Sequence, residues 1–318
     1  MNVSGSKVPV AIPMVACVVV GALTAVQSRM NGELSLRMNN GLEAAVYSFG
    51  SGFLVLILIA LLSRKVRKGL IAVPHAIRNG QIRWWQILGG TLGGFFVAVQ
   101  SSAVPLIGVA VFTIAIVAGQ STNSLIVDRI GLGPAGKQAI TWQRVVGAIL
   151  AIVAVTLAVQ QRMTEGSIPI LPVVFAFIAG LLIAVQGAIN GRVSMVSGQP
   201  LSAAFLNFMF GCIVLGAALG ISAGFMGKEL SGVFVGPWWA YLGGLIGIVF
   251  ISIAAWSVPI VGVLMFALLS ISGQLIGSMA LDIVAPTPGS SVTLSLVLGV
   301  LLAFVAVGVT ALNRPRRT

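Results

Sequence analysis

Ten runs of apolar residues, bounded by charges or by Pro and Gly, set the terms on which this chain can fold. They fall at about 8–27, 42–63, 84–104, 106–127, 141–160, 168–187, 201–225, 238–258, 260–281 and 291–312. Each is close to the ~20 residues a helix needs to cross a hydrocarbon layer. With 58% of its 318 residues hydrophobic and only 8% charged, the chain has too few charges for a water-exposed surface, since a soluble domain carries roughly 25%. The reading is an all-α integral membrane protein with ten transmembrane helices. Thirty-nine glycines fit it, because small residues let membrane helices approach backbone to backbone. The first run is too long for a cleaved signal, and no Ala-x-Ala-like site closes it before Gln27. Val104-Pro105-Leu106 and Val258-Pro259-Ile260 leave almost no room between spans, so each pair is expected to form a tight hairpin with proline at a helix boundary.

The net charge of +12 reads as topology and not as a nucleic-acid footprint, because the basic residues sit in short gaps and form no continuous face. With the N-terminus inside, the inside set is Lys7, Arg64, Lys65, Arg67, Lys68, Arg78, Arg83, Arg129, Lys137, Arg144, Arg192, Arg314, Arg316 and Arg317, which is 14 of the 18 positive residues. Arg29, Arg37, Arg162 and Lys228 fall outside. Both termini are therefore expected in the cytoplasm. The longest inside loop is expected from Ser63 to Trp85, with His75 as a solvated loop residue. Cys17 and Cys212 lie inside apolar runs without metal-type spacing and read as buried fillers.

The chain is also a duplication. Ala25-Val26-Gln27-Ser28-Arg29-Met30-Asn31-Gly32 aligns with Ala184-Val185-Gln186-Gly187-Ala188-Ile189-Asn190-Gly191, and the ungapped register reaches Gly52 against Gly211. Trp84-Trp85-x-x-Leu88-Gly89-Gly90-x-x-Gly93 aligns with Trp238-Trp239-x-x-Leu242-Gly243-Gly244-x-x-Gly247. That register continues through Val104-Pro105 and Val258-Pro259, Gly108-Val109 and Gly262-Val263, and Gly119-Gln120 and Gly273-Gln274, to Asp128 and Asp282. Residues 1–163 and 164–318 are thus expected to be two five-helix repeats. Five is odd, so the second copy enters the membrane from the opposite side, and two inverted repeats can expose one central site alternately to either face. Duplication for stability alone is the competing reading.

Polar residues within the spans locate a candidate site, because an unpaired polar group in hydrocarbon is costly. Gln27 and Asn31, four apart, share one helix face near the outer end of the first span, and Gln186 and Asn190 share the equivalent face near the inner end of the sixth. Gln120 and Gln274 sit in the middle of the fourth and ninth. Amides both donate and accept, so together they suit a polar or zwitterionic solute; helix-to-helix hydrogen bonding is the alternative. Departures from the repeat add candidates: Glu43 faces Ser202 in the alignment, Asn207 faces Ser48, and Asn123 faces Gly277. Glu43 would bind a proton or a cationic solute, or simply stabilise a helix N-terminus. Tyr47, Trp256, Phe112 and Phe266 would line a cavity or pack a core. Arg29, Glu33 and Arg37, at intervals of four, suit an ion-pair ladder. Asp128 and Asp282, at span ends, suit capping or loop pairing. The four Trp at 84, 85, 238 and 239 read as interfacial anchors.

In these residues the chain resembles the drug/metabolite transporter superfamily, in its YdcZ-like branch, whose long members fuse two five-helix units. The most specific matches are Gln-x-x-x-Asn-Gly at Gln27–Gly32 and Gln186–Gly191, and the Val-Pro-x-x-Gly-Val and Gly-Gln elements at Val104–Gln120 and Val258–Gln274. The resemblance implies a ten-helix inverted-repeat fold in the bacterial plasma membrane and export of metabolites or drugs. It also implies a central cavity lined by the third, fourth, eighth and ninth spans with help from the first and sixth, which favours Gln120 and Gln274 over Glu43. The small multidrug branch relies on a glutamate in its first helix; no acid stands within the first or sixth span here. The expected function is a secondary carrier, either a proton-coupled exporter or a uniporter, working as a monomer or homodimer in the lipid bilayer without a cofactor. No His-Glu-x-x-His, paired intramembrane acids or Gly-Lys-Ser phosphate loop supports a membrane enzyme or direct ATP coupling, and only isolated amides, with no continuous polar stripe, argue for a channel.

Overall fold

The computed structural model describes residues 11–226, 230–231, 235–261 and 263–312. Lys7, Lys228, Gly262, Arg314, Arg316 and Arg317, used above to read topology and repeat, lie outside the described residues. Among the described residues there are eleven α-helices and no strand. In chain order they are α1 (Ala11–Met38), α2 (Gly41–Leu62), α3 (Arg64–Arg78), α4 (Gly89–Ile107), α5 (Val109–Ile130), α6 (Trp142–Thr164), α7 (Ile170–Ser197), α8 (Pro200–Met226), α9 (Gly243–Val261), α10 (Val263–Val284) and α11 (Leu294–Ala311). Eight segments are long and apolar enough to cross a membrane; two further apolar segments, Trp238–Ala254 and Leu294–Thr310, are shorter.

The unexpected helix is α3. Residues 63–85 do not stay a loop, because Val66, Gly69, Val73 and Ala76 recur every three to four residues and form one buried face. Its N-terminus is capped by Ser63, whose Oγ accepts from the Val66 N–H. The buried face packs on α7 and α8, where the Ser202 hydroxyl donates to the Val66 carbonyl at 2.9 Å. The exposed face keeps Arg64, Lys65, Arg67, Lys68, His75 and Arg78. This is the profile of a helix lying at a membrane surface.

Two boundaries also differ from expectation. Pro105 does not end α4, which runs on to Ile107 and stops at Gly108, whose φ of +84° a side chain would resist. Both α1 and α7 reach 28 residues, so Glu33 lies within α1. Each tryptophan pair opens a 3-10 turn, at Trp84–Leu88 and Trp238–Leu242. Trp84 and Trp238 are exposed there, as interfacial anchors should be.

The interior of the bundle is small-residue packing. Ala115, Ala151, Ala154, Ala158, Ala176 and Ala303 are buried, while Leu54, Leu58, Leu61, Leu171, Ile213 and Leu301 point outward. Large apolar side chains cost nothing against lipid, so helix association rests on close van der Waals fit. Glycine supplies that fit in pairs that recur with the two sequence copies exchanged. A Cβ on Gly119 of α5 would lie 2.1 Å from the Phe177 carbonyl oxygen of α7; one on the aligned Gly273 of α10 would lie 2.0 Å from the aligned Val18 carbonyl oxygen of α1. Gly90 meets the Asn207 carbonyl as Gly244 meets that of Ser48. The helix pairings follow suit: α5 on α7 and α10 on α1, α4 on α7 and α9 on α1, α4 on α8 and α9 on α2. Most helices of one copy therefore find their main partners in the other, which leaves a seam between the copies where a cavity can form.

The most extensive contact without an exchanged counterpart involves α1 and α4. The second half of α1 lies against the end of α4, where Gly32 is so close to Val104 that an added Cβ would fall 2.9 Å from its Cγ1. The aligned helices α7 and α9 show no comparable contact among the described residues.

Candidate functional site

A cavity of about 340 Å³ occupies the seam between the copies. Its walls come from α1, α2, α4, α5, α7, α8, α9 and α10. Of the residues expected at the site, Gln27, Gln120, Gln186, Asn190, Asn207 and Gln274 line it. The amides fall into two chemical kinds.

The first kind is tied up in the protein. Asn207 of α8 accepts at one Oδ1 from Gln186 Nε2 (2.8 Å) and from Asn190 Nδ2 (3.0 Å), so α7 and α8 are joined by a three-amide cluster. On the α1 side, Gln100 of α4 accepts from Asn31 Nδ2 at 2.6 Å and donates to the Ser28 Oγ at 2.7 Å. That cluster fastens α1 to α4 at the close contact described above. Asn31 is fully buried behind the cavity wall, and its Oδ1 has no hydrogen-bond partner. The second kind is free. The side-chain amides of Gln27, Gln120 and Gln274 border the cavity and make no hydrogen bond to the protein among the described residues. An unpaired amide in a membrane interior is costly unless something fills its valences.

The remainder of the wall is aromatic and hydroxylic. Phe49 and Phe208, aligned residues of α2 and α8, stack with ring centroids 4.9 Å apart. Phe96, which lies 5.9 Å from Phe112, and Phe250 add further faces, and Thr24, Ser28 and Thr113 add hydroxyls. Among the described residues, none that lines the cavity is titratable.

The other expected site residues lie elsewhere. Asn123 donates from Nδ2 to the Leu181 carbonyl at 2.7 Å and so links α5 to α7 outside the cavity. Glu43 is buried, its carboxylate accepting from the Ser231 N–H (3.1 Å) and hydroxyl (3.2 Å); it anchors the segment before α9 and does not reach the cavity. Tyr47 packs edge-on against Tyr241, with centroids 5.6 Å apart. Trp256 is 43% exposed on the outside of the bundle. Phe266 packs on Phe250 in the core. Arg29, Glu33 and Arg37 form the ladder expected of them, both bonds at 2.9 Å. Asp282 caps α5, accepting from the Val109 and Ala110 N–H groups at 3.0 and 2.8 Å, while Asp128 pairs with Arg144.

Gln100 is the residue sequence reading passed over, although a signal was present. It interrupts an apolar span and faces Ala254 in the repeat alignment, the same kind of asymmetry that singled out Asn207. The phenylalanines carried no such signal, because a Phe in a membrane span is ordinary.

The family comparison covers both halves of the chain. The family model described as "Putative inner membrane exporter, YdcZ" matches residues 12–157 and again 171–309. The chain belongs to the YdcZ family. It is a two-repeat, multi-pass inner-membrane protein of the drug/metabolite transporter superfamily, and both matched regions contribute to the cavity. No curated protein sequence matches the chain. Within the YdcZ match, the two Gln-x-x-x-Asn-Gly segments supply one unpaired amide, Gln27, and three that are paired.

Proposed function

We propose that this YdcZ-family protein is a secondary carrier that moves a small polar solute out of the cell by alternating access. On this reading its ten long helices are the membrane spans, five from residues 1–163 and five of inverted insertion from 164–318, with α3 on the inner surface and both termini cytoplasmic. The observation that carries the proposal is the strongest asymmetry in a largely exchanged set of contacts among the described residues. The cavity is bordered by aligned groups of both copies, yet α1 and α4 close together at one end and α7 and α9 do not at the other. In the topology given by the positive-inside rule, the closed end is outside and the open end is cytoplasmic. Exchanging the two arrangements would carry a bound solute across without opening a continuous pore.

The lack of a titratable cavity group among the described residues favours facilitated over proton-coupled transport. Glu43, the candidate coupling acid, is occupied by Ser231. Purified protein in proteoliposomes, assayed for efflux of metabolites with and without a pH gradient, tests both points. No protein-dependent flux of any solute refutes the carrier; flux that follows the pH gradient restores proton coupling. The double substitution Gln120→Ala with Gln274→Ala is expected to abolish transport while leaving the folded yield intact. A collapse in yield would make these amides structural.

A further inference from the structure

The cavity also constrains what the solute is, given the carrier reading above. Every acid among the described residues is engaged away from it: Glu33 by two arginines, Glu43 by Ser231, Asp128 by Arg144, Asp282 by the start of α5, and Glu165 by Gln161. Among the basic residues, Arg192 donates to the Gly131 and Leu132 carbonyls and Arg162 to that of Ile107. An ion entering the cavity would exchange its hydration for neutral dipoles and aromatic rings, with no counter-charge to meet it. The phenylalanine faces would attract a cation weakly, but the chain's net charge of +12 opposes that. What remains unsatisfied among the described residues is a set of neutral donors and acceptors, the amides of Gln27, Gln120 and Gln274, beside the Phe49–Phe208 pair.

We propose that the transported solute is uncharged, a small ring compound bearing both hydrogen-bond donors and acceptors, held by Gln27, Gln120 and Gln274 against the phenylalanine wall. The amides of Gln100, Gln186, Asn190 and Asn207 hold helices and are not its main ligands. The solute's own protonation plays no part, and the transport step is electroneutral.

Proteoliposomes loaded with the small-molecule fraction of a bacterial extract, with uracil, nicotinamide, nicotinate, phenylalanine and 1-methylnicotinamide added, test this by mass spectrometry of the solutes released relative to protein-free vesicles. The expected result is release of uncharged ring solutes about a hundredfold or more faster than anionic, cationic or zwitterionic ones, at a rate unchanged between pH 6 and pH 8. The near-isosteric Gln274→Glu should slow that release and make it rise as pH falls, because only the protonated carboxyl is neutral. Ions moving within tenfold of the fastest neutral solute, or a Gln274→Glu protein indifferent to pH, overturn the inference and leave the carrier standing. Release of nothing at all overturns the carrier itself.

A different observation bears on how the two ends alternate. Asp282 and Asp128 are aligned residues, as are the Val109–Ala110 and Val263–Leu264 pairs that begin α5 and α10. Asp282 is 4% exposed and caps α5 at the closed end; Asp128 keeps a side chain 36% exposed and is held by Arg144. We infer that Asp128 caps α10 when the inner end closes, so that the two aspartates act as reciprocal latches and Arg144 retains one of them in the present state. The probe is Val104→Cys, buried in the α1–α4 contact, in a protein with Cys17 and Cys212 replaced by alanine and labelled by a membrane-impermeant maleimide from outside. Arg144→Ala should raise the labelling rate about two- to fivefold by freeing Asp128, and adding Asp128→Asn should cancel the rise. No rise, or a rise that survives the second substitution, overturns the latch.

Discussion

On the proposed carrier reading, replacing Gln100 by leucine should unfasten the end at which α1 meets α4. Gln100 makes two buried side-chain hydrogen bonds from α4 to α1, with Asn31 at 2.6 Å and Ser28 at 2.7 Å. Hydrogen bonds between membrane helices average about 0.6 kcal/mol each. The loss is larger here because Asn31, fully buried and already lacking a partner at Oδ1, would have none at Nδ2 either; an orphaned buried donor costs about 1–3 kcal/mol. Ser28 keeps its bond to the Thr24 carbonyl and adds little. The sum, about 2 kcal/mol, applies only to the state in which α1 and α4 touch, because the aligned position on α9 is Ala254 and makes no such bond in the opposite state. Two kilocalories correspond to roughly a thirtyfold shift between outer-closed and outer-open forms. The Val104→Cys probe reports it directly, since Val104 lies against Gly32 in the contact that must part. Its labelling from outside should accelerate roughly thirtyfold in Gln100→Leu. Labelling unchanged within twofold, in a protein whose melting temperature has fallen, would show that these bonds stabilise both states alike and that the gate lies elsewhere.

Gly119→Ala and Gly273→Ala should each destabilise the bundle by about 1–3 kcal/mol, because the new methyl would meet a carbonyl oxygen near 2 Å; Gly216→Ala, with nothing within 4 Å, should be neutral or slightly stabilising, and thermal unfolding in detergent compares them. Glu43→Ala should lower stability by about 1–3 kcal/mol through the loss of its bonds to Ser231, while Glu43→Gln should retain transport within twofold; loss of transport at full stability would reinstate Glu43 as a coupling group. Gly69→Leu should lift α3 from α8, since even a Cβ there would sit 2.3 Å from the Ser202 hydroxyl, and tryptic cleavage within residues 64–78 should accelerate about tenfold or more.

Much of the architecture was legible in the sequence because hydropathy and repetition are local or pairwise properties of the chain. Apolar runs of spanning length, the basic gaps between them and the alignment of Gln27 with Gln186 needed no coordinates. The α3 helix was legible too, in the spacing of Val66, Gly69, Val73 and Ala76, but the density of charge around it masked the pattern. Six of the eleven candidate site residues reach the cavity wall, and all six are amides.

Hydropathy and repetition alone establish that this chain crosses a membrane as two copies of one unit, with amides at the middle of the fourth and ninth spans. Which amides are spoken for depends on how the helices pack. Gln27 and Gln186 are aligned, yet Gln186 is bound by Asn207 while Gln27 is free, because the residues that complete a hydrogen bond come from other helices and differ between the copies. Packing likewise ties Gln100 of α4 to α1 and turns Glu43 away from the cavity, since both depend on which helices face each other. An amide's chemistry is written in its residue type; whether that chemistry is spent on the protein or left for a solute is settled by its neighbours in space.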